Sequence, residues 1–582
     1  MLRRYLKYFH NYKKYLIISC ICVVLETTFE LIIPMLMANI IDIGVANGDL
    51  SYIFRRGGEM VFCALLSLLL GILYVRFAAL SGQGFGAELR KEEFQKLQEF
   101  SFGNMDRFST SSLVTRLTSD VTILQNAISN GIRPTVRGPL MLIIALAMSF
   151  WINARLALVF VVALPVLGVA LVLIIRHLRP MYGKMQRAVD LVNRTVQENL
   201  IAIRVVKSFV RGDHEIRKFR NVNEELQSAS ERAFHYAVLN MPCFQFVMYG
   251  TIIAILWFGG NLITVGGMQV GALTGFLSYV LQILNSLMML SNVFMMLTRS
   301  ITSAVRIEEV LEEKSEITDE NVREIEVKRG DVDFENVSFK YKTDAKEYVL
   351  KNIHLHMKAG QTIGIIGGTG AAKSTLVQLI PRLYEVTDGA VKIDGIDVRE
   401  YPMQHLRDAI GMVLQRNTLF SGTIRDNLKW GNENADDREL LRACEIACAD
   451  EFIYKMPEGL DTDLGQGGVN VSGGQKQRLC IARALLKKPR ILILDDSTSA
   501  VDTATEQKIR KGLNQELKDT TKIIIAQRIS SVKHADQIIV LEDGEINAVG
   551  THETLSASNP IYQEIYYSQQ EGAEENGQIS CV

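Results

Sequence analysis

Apolar residues run in long unbroken stretches through the first half of the chain and in short alternating ones through the second. Six stretches, at about 15–41, 58–82, 130–154, 156–177, 237–264 and 273–298, are each long enough for a helix to cross a bilayer. A hydrocarbon core of about 30 Å takes roughly 20 apolar residues, and only a helix or a closed barrel satisfies its own backbone there. The third and fourth stretches are separated only by the polar tip around Asn153 and Arg155, which predicts an antiparallel pair. Arg3, Arg4, Lys7, Lys13 and Lys14, interleaved with aromatics, predict an N-terminal helix on the cytoplasmic face. Six crossings then return the second half to the cytoplasm. The outward connections are short, whereas the inward ones, 83–129 and 178–236, are long, polar and patterned near 3.6 residues, which predicts helical arms.

Composition adds exclusions. The 582 residues carry a net charge of −1 with no basic stripe, so nucleic acid is not an expected partner. The eight cysteines, at 20, 22, 63, 243, 444, 448, 480 and 581, lack C-x-x-C spacing and read as reduced packing residues. Among the charges inside apolar stretches are Glu26 and Glu30, four apart and on one face of the first helix, and Arg76 in the second. Charges at that depth pair or face a wetted cavity, so this face is a candidate transport path or a structural ion pair.

From Val332 the pattern changes to short β-branched and aromatic strands bounded by glycine. The expected domains are therefore 1–315 in the membrane, 328–570 as a separate α/β domain, and 571–582 as a disordered tail. Strand 361–366 runs into Gly367, Gly368, Thr369, Gly370, Ala371, Ala372, Lys373, Ser374 and Thr375, and then an apolar helix. Backbone N–H groups of such a loop wrap phosphates, with Lys373 on the β/γ oxygens and Ser374 on Mg²⁺. Ala372 stands where the motif has its second glycine. Downstream, the buried strand Ile491 to Leu494 ends in Asp495 and Asp496, placed to hold Mg²⁺ and to act as base toward an attacking water. Ser472, Gly473, Gly474 and Gln475 open an amphipathic helix, a second anion-binding start.

Phosphate loop, SGGQ segment and aspartate strand end agree jointly in spacing, and over essentially its whole length the chain resembles the ATP-binding cassette transporter family, exporter type. The resemblance implies a six-helix membrane domain with cytoplasmic extensions fused to a P-loop NTPase cassette with a helical subdomain. It further implies ATP and Mg²⁺ as cofactors, a second half-transporter as partner, the lipid bilayer, and efflux of amphipathic substrates (multidrug, lipid or peptide) from a cell membrane, bacterial in the nearest pattern. By position, Tyr341 would stack on adenine, and Gln415 would sense Mg²⁺. Ser472, Gly473 and Gly474 would clasp the partner-bound γ-phosphate, and Ser499 to Asp502 would cross the dimer interface. An ATP-gated regulator or channel-like protein without vectorial pumping is the alternative.

Two catalytic positions depart from that pattern at one site, and Ala372, whose methyl is expected to crowd the tight loop, is a third departure there. The family's catalytic glutamate is Asp496 and its switch histidine is Gln527. Aspartate is one methylene shorter, and glutamine cannot become cationic. This chain's own site is thus expected to be degenerate, and the chain to work in a heterodimer beside a partner with intact glutamate and histidine.

Overall fold

The computed structural model describes residues 5–320, 322–342, 344–497 and 501–579, so Arg3, Arg4 and Ser499 lie outside the described residues. The chain divides into two compact units, Met1–Gln98 with Thr110–Glu312, and Glu99–Ser109 with Glu313–Val582.

The first unit is helical: α1 Lys13–Asn39, α2 Leu50–Gln98, α3 Ile132–Ile152, α4 Ala154–Ile201, α5 Asn240–Thr264 and α6 Val270–Glu312. Among the described residues, six helical stretches are long and apolar enough to cross a membrane, as expected. Residues such as Leu65, Ile72, Val161, Val172 and Ile253 lie exposed along them, the surface a lipid solvent requires. The 49 residues of α2 span about 70 Å at 1.5 Å each, more than twice a bilayer core, so the helices continue as arms. The polar tip between α3 and α4 works as a cap: Leu156 N–H donates to Asn153 Oδ1 at 3.1 Å. At the start of α6, Asp42 accepts from the amides of Gly271 at 2.5 Å and Ala272 at 2.8 Å. A β-carbon on Gly271 would sit 2.3 Å from the Ala38 carbonyl, so the close approach that allows this cap needs glycine. Of the expected N-terminal helix, the described residues ahead of α1 form one 3₁₀ turn, Leu6–Phe9, in which Tyr8 and Phe9 are buried, Phe9 stacking on Phe85 with ring centroids 4.7 Å apart.

Among its described residues the second unit holds ten strands: β1 Val332–Phe339, β2 Leu350–Met357, β3 Thr362–Ile366, β4 Asp388–Ile393, β5 Ile396–Asp397, β6 Ile410–Val413, β7 Ile491–Asp495, β8 Thr521–Ile525, β9 Gln537–Glu542 and β10 Glu545–Gly550. One sheet has the order β2-β1-β4-β5 and the other β10-β9-β3-β8-β7-β6. In the second sheet every pair but β9–β10 is parallel. All five residues of β7 are buried, the continuous apolar run that a strand covered on both faces requires. Helices α7 Lys373–Gln378, α8 Gly473–Leu486, α9 Thr503–Glu516 and α10 Pro560–Ile579 follow. The α8 region has its own core with Leu440, Cys444, Leu479 and Ile481, which is the helical subdomain. Helix α10 runs to Ile579, into the segment from 571 expected to be disordered.

Candidate functional site

Because β3, β8, β7 and β6 are parallel neighbours, their C-terminal ends fall on one edge of the sheet. That edge is where α/β sheets bind ligands, and here it carries, strand by strand, the Gly367–Thr375 loop, Gln527, Asp495 with Asp496, and Gln415. Sequence-distant residues therefore converge without any long-range design beyond strand order.

The loop after β3 is shaped by close approach. A β-carbon on Gly367 would lie 2.1 Å from the Leu541 carbonyl, while over Gly368 and Gly370 it would meet nothing within 4 Å, leaving open space above the loop. Lys373 Nζ donates to the Gly367 and Gly368 carbonyls at 2.8 and 2.7 Å, which folds its ammonium across the loop. Ser374 Oγ donates to Asp495 Oδ1 at 2.9 Å. A hydroxyl and a carboxylate oxygen so juxtaposed beside an open loop are a donor set that Mg²⁺ takes. The residues present thus fit Mg²⁺-ATP, which when bound brings the phosphoryl group that is transferred. Ser374 and Asp495 would hold the metal, and Lys373 would neutralise the phosphates.

Ala372 occupies the N-cap of α7 at φ 66° and ψ 24°, the left-handed region. The Ala372 methyl packs against the apolar core of the cassette rather than crowding the loop, and the strain lies in the backbone. A left-handed non-glycine residue costs about 1–2 kcal/mol, part of which glycine returns as unfolded-chain entropy. Ala372→Gly should therefore raise unfolding stability of the cassette by about 0.5–1 kcal/mol, seen as a higher midpoint in thermal unfolding.

The two catalytic departures from the family pattern touch each other. Gln527 Nε2 donates to Asp496 Oδ2 at 2.7 Å. Asp496 also has a positive φ of 47°, which aspartate tolerates better than most residues. Burial pushes the Asp496 carboxyl above the usual carboxylate range, opposed by the Gln527 bond and by the charges of Lys373 and Arg528. Burial raises Asp495 as well, the Ser374 bond and Lys373 opposing and Asp496 adding to it. Lys373 is lowered by burial, with both aspartates working against that. Two carboxylates and one ammonium thus form a single coupled charge set at the strand ends.

Tyr341 is placed beside the loop. Its hydroxyl shares a 2.8 Å hydrogen bond with Thr375 Oγ1, and its ring meets Tyr384 edge-on at 5.1 Å, leaving an exposed face for a flat base. Tyr384 Oη in turn donates to Asp106 Oδ2 at 2.8 Å, on the short helix Phe102–Arg107 from the first arm. Gln415 is exposed two residues beyond β6, and no hydrogen bond joins it to Ser374 or Asp495 among the described residues. Ser472 caps α8, accepting from Gln475 N–H at 3.3 Å while its own N–H donates to Gln475 Oε1 at 2.8 Å. Gly473 and Gly474 form the first turn of that helix. Asp502 caps α9 through the Thr505 amide at 2.9 Å, a bond that holds its carboxyl below the usual range.

In the membrane unit, Glu26 and Glu30 pair with arginines that the sequence reading missed. Arg133 donates to Glu26, and Arg137 Nη2 donates to Glu30 Oε2 at 2.6 Å. Arg137 also lies 3.6 Å from Glu26, which is 4 % exposed. The signal was available: Arg133 and Arg137 repeat the four-residue spacing of the two glutamates on the third apolar stretch. Arg76 is exposed and joins no ion pair among the described residues.

Comparison with known proteins agrees with this architecture. Residues 16–287 match the ABC transporter transmembrane region and residues 350–499 the ABC transporter family. The chain belongs to the ABC transporter family, as an exporter half-transporter with its membrane domain and ATPase cassette fused. It is 41% identical over 559 residues to the ABC transporter ATP-binding protein YfiB of Bacillus subtilis (strain 168), covering 96% of this chain and 97% of that one. It is 32% identical over 577 residues to the putative multidrug export ATP-binding/permease protein YgaD of the same organism, covering 97% and 99%. To an ATP-dependent lipid A-core flippase of Desulfotalea psychrophila (strain LSv54 / DSM 12343) it is 33% identical over 503 residues, 86% and 87% of the two chains. A bacterial Atm1-family ABC exporter solved with ATP bound superimposes with a TM-score of 0.82 at 25% identity, covering 96% and 99%. The chain is thus a multi-pass membrane protein and an ATP-hydrolysing transporter that pairs with another half.

Proposed function

We propose that this chain is the slow-site subunit of a heterodimeric bacterial cell-membrane exporter of amphipathic molecules. The observation that carries this reading is the 2.7 Å bond from Gln527 to Asp496. The carboxylate that would orient the attacking water is shorter by one methylene than glutamate and is already engaged by an uncharged amide. Misplacement by about 1 Å costs on the order of 100-fold in rate. ATP held by Tyr341, Lys373, Ser374 and Asp495 would then act more as a clamp than as fuel, while Ser472, Gly473 and Gly474 serve the partner's site. Gln415 and Asp502 would line the cleft as it closes.

The surface of the second arm supports a docking role. Its tip exposes Ile201, Phe209 and Val210 at 78, 73 and 87%, an apolar knob that a partner cassette would cover. The names of the relatives, multidrug export and lipid A-core flippase, favour an amphipathic cargo. Turnover of the purified chain alone and of the chain co-purified with its native partner tests the assignment. Near-inactivity alone with activity in the pair is expected, and brisk ATP-driven transport by the chain alone would overturn it.

A further inference from the structure

We infer that Gln569, on the C-terminal helix α10, is a positioning residue for the ATP site that acts through Gln527. The inference rests on the ATP-site reading above and adds to it a residue some forty positions away in the chain. Gln569 Nε2 donates to the Gln527 carbonyl at 2.8 Å, and Gln569 Oε1 accepts from the Ile529 amide at 2.9 Å. One side-chain amide therefore grips the backbone on both sides of Arg528, in the two directions that only a carboxamide can offer at once.

What it grips is the segment that delivers Gln527 to Asp496. Ala526 leaves β8 through a bond from its own amide to the Ile365 carbonyl at 3.2 Å, and Arg528 is extended at φ −102° and ψ 130°. Between those points the backbone has no ladder to fix it, so the direction of the Gln527 side chain depends on where its carbonyl is held. The Gln569 pair supplies that hold. It also sets Arg528, whose charge is one of the influences lowering the Asp496 carboxyl.

The helix that carries Gln569 is anchored for the purpose. Tyr562 is fully buried, in one cluster with Ile366 at the root of the phosphate loop and with Ala526 and Ile529 on either side of Gln527. Ile561, Ile565 and Tyr566 pack against the same cluster. A hydrogen-bonding arm on a helix seated under both strand ends is a rigid reference for the switch position, and this is how a residue remote from the phosphates can set a catalytic geometry.

The test is a double-mutant cycle in the full chain assembled with its partner. The rate at which bound radiolabelled ATP is lost from this chain's site, by hydrolysis or release, is read for Gln569→Leu with Gln527 intact and in a Gln527→Ala background. The same preparations give the affinity for a fluorescent ATP analogue. With Gln527 intact, the leucine variant should change the loss rate about fivefold at unchanged affinity, and Gln569→Glu, which still accepts from Ile529, should recover part of it. In the Gln527→Ala background the leucine change should have no effect. An equal change in both backgrounds, a parallel fall in affinity, or no change at all overturns the inference. A fast unmodified chain would overturn the slow-site reading yet leave this comparison readable, because it is made between backgrounds.

Discussion

An Asp496→Glu, Gln527→His double variant is expected to hydrolyse ATP at this chain's site roughly 100-fold faster than the unmodified chain, both assembled with the native partner. The added methylene carries the carboxylate outward from a strand end whose Asp495 is already committed to Ser374. Histidine in place of Gln527 can donate to a phosphate oxygen and can carry charge, neither of which requires it to occupy the carboxylate as Gln527 now does. The single variants should fall well short of the product, because the two residues share one hydrogen bond and cannot act independently. Single-turnover phosphate release measures the effect, and a double variant within twofold of the unmodified chain would refute the account of the slow site.

Glu26→Ala is expected to destabilise the membrane unit by about 1–3 kcal/mol. It strands Arg133, which donates to Glu26, while Arg137, whose guanidinium is 3.6 Å from Glu26, keeps its bonds to Glu30. Removing both signs together, as in Glu26→Gln with Arg133→Gln, should cost less, since no buried charge is left alone. The melting temperature of the purified transporter reads the stability term, and substrate stimulation of ATP turnover reads the transport term. Lower melting with normal stimulation makes the pair structural. Altered stimulation at normal melting places it on the substrate path.

How much of this was legible in the sequence depends on how local each feature is. The phosphate loop, the Asp495–Asp496 strand end and the Ser472 cap are each written in a dozen consecutive residues, so strand, turn and helix could be read directly. That β8 lies between β3 and β7 could not, because parallel strand order is set by packing of remote segments. Yet that order is what brings Gln527 to Asp496 and gives the two departures a shared geometry. Ala372 shows the limit from the other side: its identity was plain, but whether its cost lay in the methyl or the backbone needed φ. The arginine partners of Glu26 and Glu30 and the grip of Gln569 were missed because each depends on a contact between segments far apart in the chain.

The separation of 107 residues between Glu26 and Arg133, repeated for Glu30 and Arg137, has a consequence for how the protein is made. Helix α1 leaves the ribosome with two carboxylates at its middle, each unfavourable in hydrocarbon by a few kcal/mol on insertion scales. Their counter-charges emerge only after α2 has been synthesised in full. The first helix therefore enters lipid at a penalty that is relieved only when α3 arrives. A truncated chain ending after α2 should enter the bilayer less efficiently than one ending after α3.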